Sequence, residues 1–386
     1  MLLPRRLRGN RDMERVKWID GMRGCACIIV FLGHSVACVF PSTFFGDSYR
    51  MHSVIEKVIH MSPLSVFINS SSMVGAFLFF SGYLISKQEK KGGIVRIVKK
   101  YLKFIPMIFI GTLIPYVVMK FDLAFHIKLA PYSYASDYVY QYNNFETCLL
   151  GREGLIVDSL ICTFLSSSKY NNTLWFVKVL FWGSIVAEFM ISFLKNSKVK
   201  IVSCVGLYVV CMTLGKVDWR FPYAAFIYAG MLLAMIDISK KLPSVCAYFA
   251  FAIGIYLISP VEYVGVYKPL SYFDEVGINL RIIGIALVVF SVDNSLKLKK
   301  IFSSKILQVI AHYSFGIYVI QWGVVISMTC GITYFLNTKL GMYYGVSGCL
   351  GLLGGAATTI VLSIVFTNHF YDLYCNLLDK YERKIK

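Results

Sequence analysis

Charged residues are scarce in this sequence of 386 residues. Asp, Glu, Lys and Arg together make up 16% of the chain, hydrophobic residues make up 57%, and the mean hydropathy is +0.64. A soluble fold of this size needs more polar surface than such a composition provides. Several apolar runs approach the roughly 20 residues that span a bilayer. The sequence therefore predicts an all-α, polytopic transmembrane helical bundle.

The short motifs of several enzyme classes are also missing. The sequence contains no glycine-rich phosphate loop, no His-Glu-x-x-His zinc motif and no Gly-x-Ser-x-Gly elbow. Its 11 cysteines are scattered, mostly inside apolar runs, and none forms a Cys-x-x-Cys pair or a Cys/His cluster with zinc spacing. We therefore expect no metal site and interpret the cysteines as small core residues.

Basic residues outnumber acidic ones and give a formal net charge of +18. In a soluble protein this excess would suggest nucleic-acid binding, but here the basic clusters recur in every second loop, as the positive-inside rule requires. We expect no nucleic-acid partner and place both termini in the cytoplasm. About ten spans are predicted: Cys25–Phe40, Leu64–Ser86, Tyr101–Met119, Leu174–Leu194, Val199–Leu214, Phe221–Ile236, Pro243–Ser259, Val276–Val292, Lys305–Met328 and Gly345–Thr367.

The pattern divides the chain into a basic cytoplasmic arm (1–19), a transmembrane domain (20–370) and a basic cytoplasmic tail (371–386). One long outer loop, about 120–173, contains an apolar stretch, Leu155 to Leu165, that is too short to span a membrane. Long loops in compact proteins are often functional. The loop helps to shape an acceptor site or is an inert tether, and the sequence leaves both readings open.

Two polar residues interrupt the first span. Arg23 and His34 lie eleven residues apart, which places them within about 20° of the same helix face and about 16 Å apart along the axis. Ionisable groups inside a membrane are costly and usually functional. The alternative is an arginine that snorkels to the interface and a histidine bonded to a neighbouring helix.

Four short segments form an ordered set along the chain. They are Asp20-Gly-Met-Arg23-Gly with ten residues before His34, Val74-Gly-Ala-Phe-Leu-Phe-Phe-Ser81-Gly82-Tyr-Leu-Ile, Leu174-Trp175-Phe176 and Tyr313-Ser314-Phe-Gly-Ile-Tyr318. In this order they resemble the acyltransferase 3 family of multi-pass membrane proteins, many of which O-acylate glycans. The first segment is similar to the Arg-x10-His pattern that opens the family.

The resemblance implies a transferase that moves an acyl group, acetyl by expectation, from cytosolic acyl-CoA to a hydroxyl of a cell-surface glycan or a lipid-linked saccharide. The implied location is the cell membrane, by default the bacterial inner membrane, with membrane lipids as partners. Lys99-Lys100-Tyr-Leu-Lys103-Phe-Ile-Pro106 is similar to a family segment of the form Arg-Arg-x-x-Arg-Ile-x-Pro that is implicated in donor binding. Lysine retains the charge here but lacks the bidentate guanidinium. We expect Arg23, Lys100 and Lys103 to bind the phosphates of the donor, although the lysines also satisfy the positive-inside rule.

His34 is the predicted catalytic residue, because a neutral imidazole can take the proton of an attacking hydroxyl. A covalent acyl-histidine remains an alternative. Asp20, three residues before Arg23, is expected to orient the guanidinium or to cap the helix. Ser81 is expected to line the site without an assigned step, and Ser35 is interpreted as a packing residue.

Further polar residues lie in other spans. Lys178 and Glu188 share a helix but are too far apart to pair, so Glu188 needs another partner, for which Arg281 and His312 are candidates. Gln321 occupies a position where many family members have a histidine.

Two other functions fit the pattern less well. A transporter or flippase of a glycan intermediate would share the polytopic plan, but we find no pair of broken helices in corresponding halves. An acyltransferase of another membrane family would use His312 in place of His34.

Overall fold

The computed structural model describes residues 16–46, 49–87, 93–134, 152–236 and 244–385. The described residues are almost entirely helical and contain no β-strand. The basic arm up to residue 15 and residues 135–151 of the long loop lie outside them. The long helices are α1 (Lys17–Val39), α2 (Ser70–Lys87), α3 (Gly93–Lys120), α4 (Trp175–Phe193), α5 (Ser197–Leu214), α6 (Phe221–Met235), α7 (Ser244–Ile258), α8 (Gly277–Asn294), α9 (Lys305–Val324), α10 (Cys330–Thr338), α11 (Tyr344–Phe366) and α12 (Asp372–Ile385).

Seven helices in the described part of the chain are long and apolar enough to cross a membrane, and each matches a predicted span. The other three predicted spans correspond to α2, α6 and α7, which have 18, 15 and 15 residues. Many large apolar side chains on the helices face outward, among them Val202 (70% exposed), Phe249 (70%) and Leu353 (68%). In water such a surface would be unfavourable, so it is the lipid-facing surface of a helical membrane protein.

The first and ninth predicted spans, α1 and α9, pack side by side and run in the same direction. Gly24 approaches the backbone of Ala311, the Cys27 thiol donates a hydrogen bond to the Ser314 carbonyl oxygen (3.2 Å), and farther along the His34 ring meets Trp322. Small residues let the two backbones approach closely. Successive spans of a bundle alternate in direction, so the first and ninth spans of the predicted order are expected to be parallel, as observed.

Helix α2 begins later than the sequence suggests. The predicted span starts at Leu64, but Pro63–Phe67 form a short 3-10 helix and α2 starts at Ser70. Asn69 explains the break, because its side-chain oxygen accepts a hydrogen bond from the Ser72 amide (3.0 Å). Its amide nitrogen donates to the carbonyl oxygens of Ile258, Ser259 and Pro260 (2.8 to 3.2 Å), so the start of α2 is fixed to the end of α7.

Two predicted spans continue farther than expected, in each case through one wide π turn. Helix α9 passes through the π turn Val325–Thr329 into α10, and α11 passes through the π turn Thr367–Tyr371 into α12. A π turn inserts an extra residue without breaking the helix, and such turns often occur at functional sites. Both turns lie close to the candidate site described below.

The short apolar stretch of the long loop forms a helical segment, Arg152–Leu165, that packs against the bundle. The Phe164 ring lies 4.7 Å from that of Tyr101 on α3 and 5.1 Å from that of Phe181 on α4. The Asp158 carboxylate is buried and accepts hydrogen bonds from the Ser168 hydroxyl (2.6 Å) and the Lys169 amide (2.7 Å). This part of the loop is therefore fixed to the bundle wall.

Candidate functional site

A cavity of about 270 Å³ lies between five of the long helices and the second π turn. We call it the central cavity. Its walls are mainly aromatic and aliphatic, with one arginine and a few hydroxyl groups. The lining residues are Arg23, Phe77, Ser81, Leu84, Ile85, Phe104, Phe176, Leu180, Ser314, Phe315, Tyr318 and Tyr371. A narrow apolar pocket with a few polar groups is typical of small-molecule sites.

Arg23 brings the charge to this cavity. Its Nη1 atom lies 3.8 Å from Oδ1 of Asp20, and the two side chains are 37% and 15% exposed. The ion pair between Asp20 and Arg23 expected from their spacing is therefore present. A carboxylate on one edge of the guanidinium fixes its orientation.

Ser81 lines the same cavity from α2. Its hydroxyl donates a hydrogen bond to the carbonyl oxygen of Phe77, one turn earlier in the helix (2.9 Å). The next residue, Gly82, packs against the backbone of α6, where a β-carbon would overlap the carbonyl oxygen of Ile227, and Gly230 packs against Phe79 in the same way. This reciprocal contact holds the Ser81 wall in place.

His34 does not line the central cavity. It lies on the α9-facing side of α1, about 16 Å beyond Arg23, and its ring meets that of Trp322 edge to face with centroids 6.2 Å apart. The ring is half-buried, and its Nδ1 atom is buried without a hydrogen-bond partner among the described residues. Gly33 packs against the carbonyl oxygen of Ile68 at the start of α2, so His34 lies where α1, α2 and α9 meet.

The sequence did not predict that Gln321 lies beside His34. The Gln321 side chain is fully buried and interacts with the His34 ring, and neither its nitrogen nor its oxygen has another hydrogen-bond partner in the described structure. Tyr318, a lining residue of the central cavity, lies one turn before it on α9. The sequence signal that could have indicated this position is an amide residue in an apolar helix, at a place where the family often has histidine.

The predicted basic cluster is placed only in part. Lys103 lies on α3 next to Phe104, which lines the central cavity. Lys100 belongs to the same helix, but its side chain lies outside the described residues. The structure therefore brings together Arg23, Asp20 and Ser81 at the cavity, and His34 and Gln321 one helix turn beyond it.

The other histidine considered from sequence, His312, has a different environment. Its side chain is 38% exposed, and its Nε2 atom lies 3.9 Å from a carboxylate oxygen of Asp372 on α12. It lines neither the central cavity nor a larger one of about 410 Å³ between Val261, Tyr263, Ser271 and Arg281. The Nε atom of Arg281 is buried without a hydrogen-bond partner within the described structure.

The fold and the site together define a multi-pass helical membrane protein with a polar centre inside its bundle and a charged residue at the mouth of an apolar cavity. The model of the acyltransferase 3 family, an acyltransferase domain, matches residues 16–368, nearly the whole chain, and the chain belongs to this family. Membership supports acyltransferase activity in general. Searches of curated proteins and of solved structures find no match.

Proposed function

We propose that this protein is a membrane O-acyltransferase that moves an acyl group, acetyl in our proposal, from cytosolic acyl-CoA to a hydroxyl of a cell-surface glycan or lipid-linked saccharide. One observation carries the proposal. A single helix, α1, presents an arginine to the central cavity and a half-buried histidine farther along the same side. This arrangement suits a donor that has phosphates at one end and a thioester at the other end of a narrow arm.

In this proposal Arg23, held by Asp20, binds a phosphate group of the donor at the cavity mouth, and Lys100 and Lys103 add positive charge. The apolar walls of the cavity accommodate the arm of the donor. The hydroxyl oxygen of Ser81 accepts a hydrogen bond from that arm. The thioester then reaches His34 from one side and the acceptor reaches it from the other side of the membrane. No metal or other cofactor is required by this scheme.

The chemical step assigned to His34 is general-base catalysis. The Nδ1 atom is buried, so Nε2 is the nitrogen available to a substrate. It takes the proton of the acceptor hydroxyl as that oxygen attacks the thioester carbonyl carbon. The tetrahedral intermediate collapses, the carbon–sulfur bond breaks, and the CoA thiolate leaves and takes the proton from His34. The products are an ester and free CoA.

The test compares His34→Ala with His312→Ala. Membranes that contain each variant receive labelled acetyl-CoA, and the mass added to glycans is read by mass spectrometry. We expect His34→Ala to lower transfer at least about 100-fold, because general-base catalysis contributes about 10² to 10⁴ in rate, and His312→Ala to retain it. Full transfer by His34→Ala at an unreduced protein level would overturn the assignment. The opposite pattern would favour the alternative histidine, and a wild type that exports a glycan without adding mass would favour a transporter.

A further inference from the structure

The amide of Gln321 is buried with hydrogen-bonding capacity that the protein does not use. Alone among the buried side chains of the described residues, Gln321 has two polar atoms, Nε2 and Oε1, for which the structure offers no hydrogen-bond partner other than His34. A buried polar group that is not fully bonded destabilises a fold, and native proteins contain few of them. An apolar residue of the same size would fold more readily at this position.

Other buried amides of this protein are fully used. Asn171 donates from Nδ2 to the carbonyl oxygens of Gly111 (2.8 Å) and Val319 (2.9 Å) and accepts at Oδ1 from the amide and hydroxyl of Thr173 (3.2 and 2.7 Å). Its bond to Val319 ends two residues before Gln321 on the same helix. The chain therefore satisfies a buried amide at that level of the bundle and does not do so at Gln321.

The backbone holds Gln321 firmly at this place. The carbonyl oxygens of Gln321 and Trp322 both accept from the amide of Val325, the first residue of the π turn, and the two residues are fully or almost fully buried. The parallel packing of α1 and α9 places the amide opposite the imidazole of His34. The amide and the imidazole thus face one another across a helix interface, next to a π turn, and a bond to His34 uses only part of the amide, which has two N–H donors and one oxygen acceptor.

We propose that the Gln321 amide binds the carbonyl oxygen of the acyl thioester, so that His34 and Gln321 form one acyl-transfer centre. The inference rests on the proposed function. When the acceptor oxygen attacks, the carbon–oxygen π electrons move onto the carbonyl oxygen, and the Nε2–H group donates to that developing oxyanion. When the carbon–sulfur bond breaks, the carbonyl re-forms. The proton moves through His34 as above, and Gln321 exchanges none.

The test uses Gln321→Leu, which removes both polar atoms and retains the approximate shape. Loss of one oxyanion donor costs about 10² to 10³ in kcat, so we expect that fall in kcat for acyl transfer, with the KM for acyl-CoA within about threefold of wild type. Gln321→His, which restores an N–H donor, should recover part of the loss. The stability of Gln321→Leu should equal or exceed that of wild type, because an unsatisfied group has been removed.

The matched control is Gln308→Leu, the same substitution on the same helix. The Gln308 amide donates to the carbonyl oxygen of Lys17 (2.7 Å) far from His34, and its loss should leave kcat unchanged. A Gln321→Leu enzyme with at least half of the wild-type kcat would overturn the role of Gln321 while the proposed function stands. So would a fall in kcat accompanied by a lower unfolding midpoint, which indicates a structural role. A wild type that transfers no acyl group would overturn both proposals.

Discussion

Two amide side chains in this protein are equally buried and differently treated. Asn171 and Gln321 are both 0% exposed, and both belong to the region where α9 meets its neighbours. Asn171 joins α3, α9 and the start of α4 through four hydrogen bonds, whereas Gln321 has no partner but His34 among the described residues. A buried polar group that is fully bonded stabilises the bundle, and we propose that one with unused hydrogen-bonding capacity beside a histidine serves the substrate.

The largest effect on stability is expected from Asn171→Leu. The substitution leaves the carbonyl oxygen of Gly111, which Pro115 cannot satisfy because it has no N–H, and the amide of Thr173 without a partner, and each such group costs about 1 to 3 kcal/mol. We expect the free energy of unfolding to fall by about 3 to 5 kcal/mol. A denaturant titration of the protein in detergent measures this free energy of unfolding. The Gln321→Leu protein serves as the comparison.

The comparison fails if the two variants lose similar stability. In that case Gln321 has a packing role in spite of its unbonded atoms, and the contrast between a structural and a functional amide disappears. It also fails if Asn171→Leu unfolds like wild type.

An intermediate effect is expected at a satisfied carboxylate outside the membrane spans, Glu56. Its side chain accepts from the Ser42 hydroxyl and from the backbone amides of His52 and Ser53 (2.9 Å each). Burial would raise the pKa of Glu56, but the hydrogen bonds from His52 and Ser42 outweigh it and leave this pKa below its ordinary value. Its contribution to stability is therefore present near neutral pH and is lost as the pH falls through the folded-state pKa.

The measurement is the unfolding midpoint of wild type and Glu56→Gln between neutral pH and about pH 3, a range that includes the ordinary pKa of glutamate. Wild type should lose more stability than Glu56→Gln as the pH falls. Asp122→Asn is the control, because Asp122 is 86% exposed in its pair with Lys128 and exposed pairs contribute little. Parallel pH curves for wild type and Glu56→Gln would contradict the prediction.

The smallest effect is expected from Tyr318→Phe. The Tyr318 hydroxyl donates to the carbonyl oxygen of Thr173 (2.8 Å), and one hydrogen bond is worth about 1 kcal/mol. Because that hydroxyl is already bonded within the protein, kcat should change less than about threefold. A loss of kcat as large as that of Gln321→Leu would place the hydroxyl among the groups that contact the substrate.

The apolar runs predict the helices well, since length and hydropathy decide which segments cross a membrane. The pairing of Asp20 with Arg23 was also predictable, because it depends only on helical spacing. The two π turns, the late start of α2 and the different treatment of Asn171 and Gln321 depend on contacts between distant segments. No local pattern marks Val319 as the acceptor for Asn171 or brings Gln321 to His34. The assigned roles of His34, Ser81 and Lys103 remain predictions.

The reciprocal glycine contact between α2 and α6 has a mechanical consequence for the central cavity. At Gly82 and Gly230 the backbones of α2 and α6 touch without a side chain between them, so these two helices cannot easily shift against each other. The opposite wall is softer, because α3 contains Pro106 and Pro115, each of which removes a backbone hydrogen bond, and Tyr371 belongs to a π turn. We therefore expect the central cavity to widen around a bound substrate by bending of α3, while α2 and α6 stay in place.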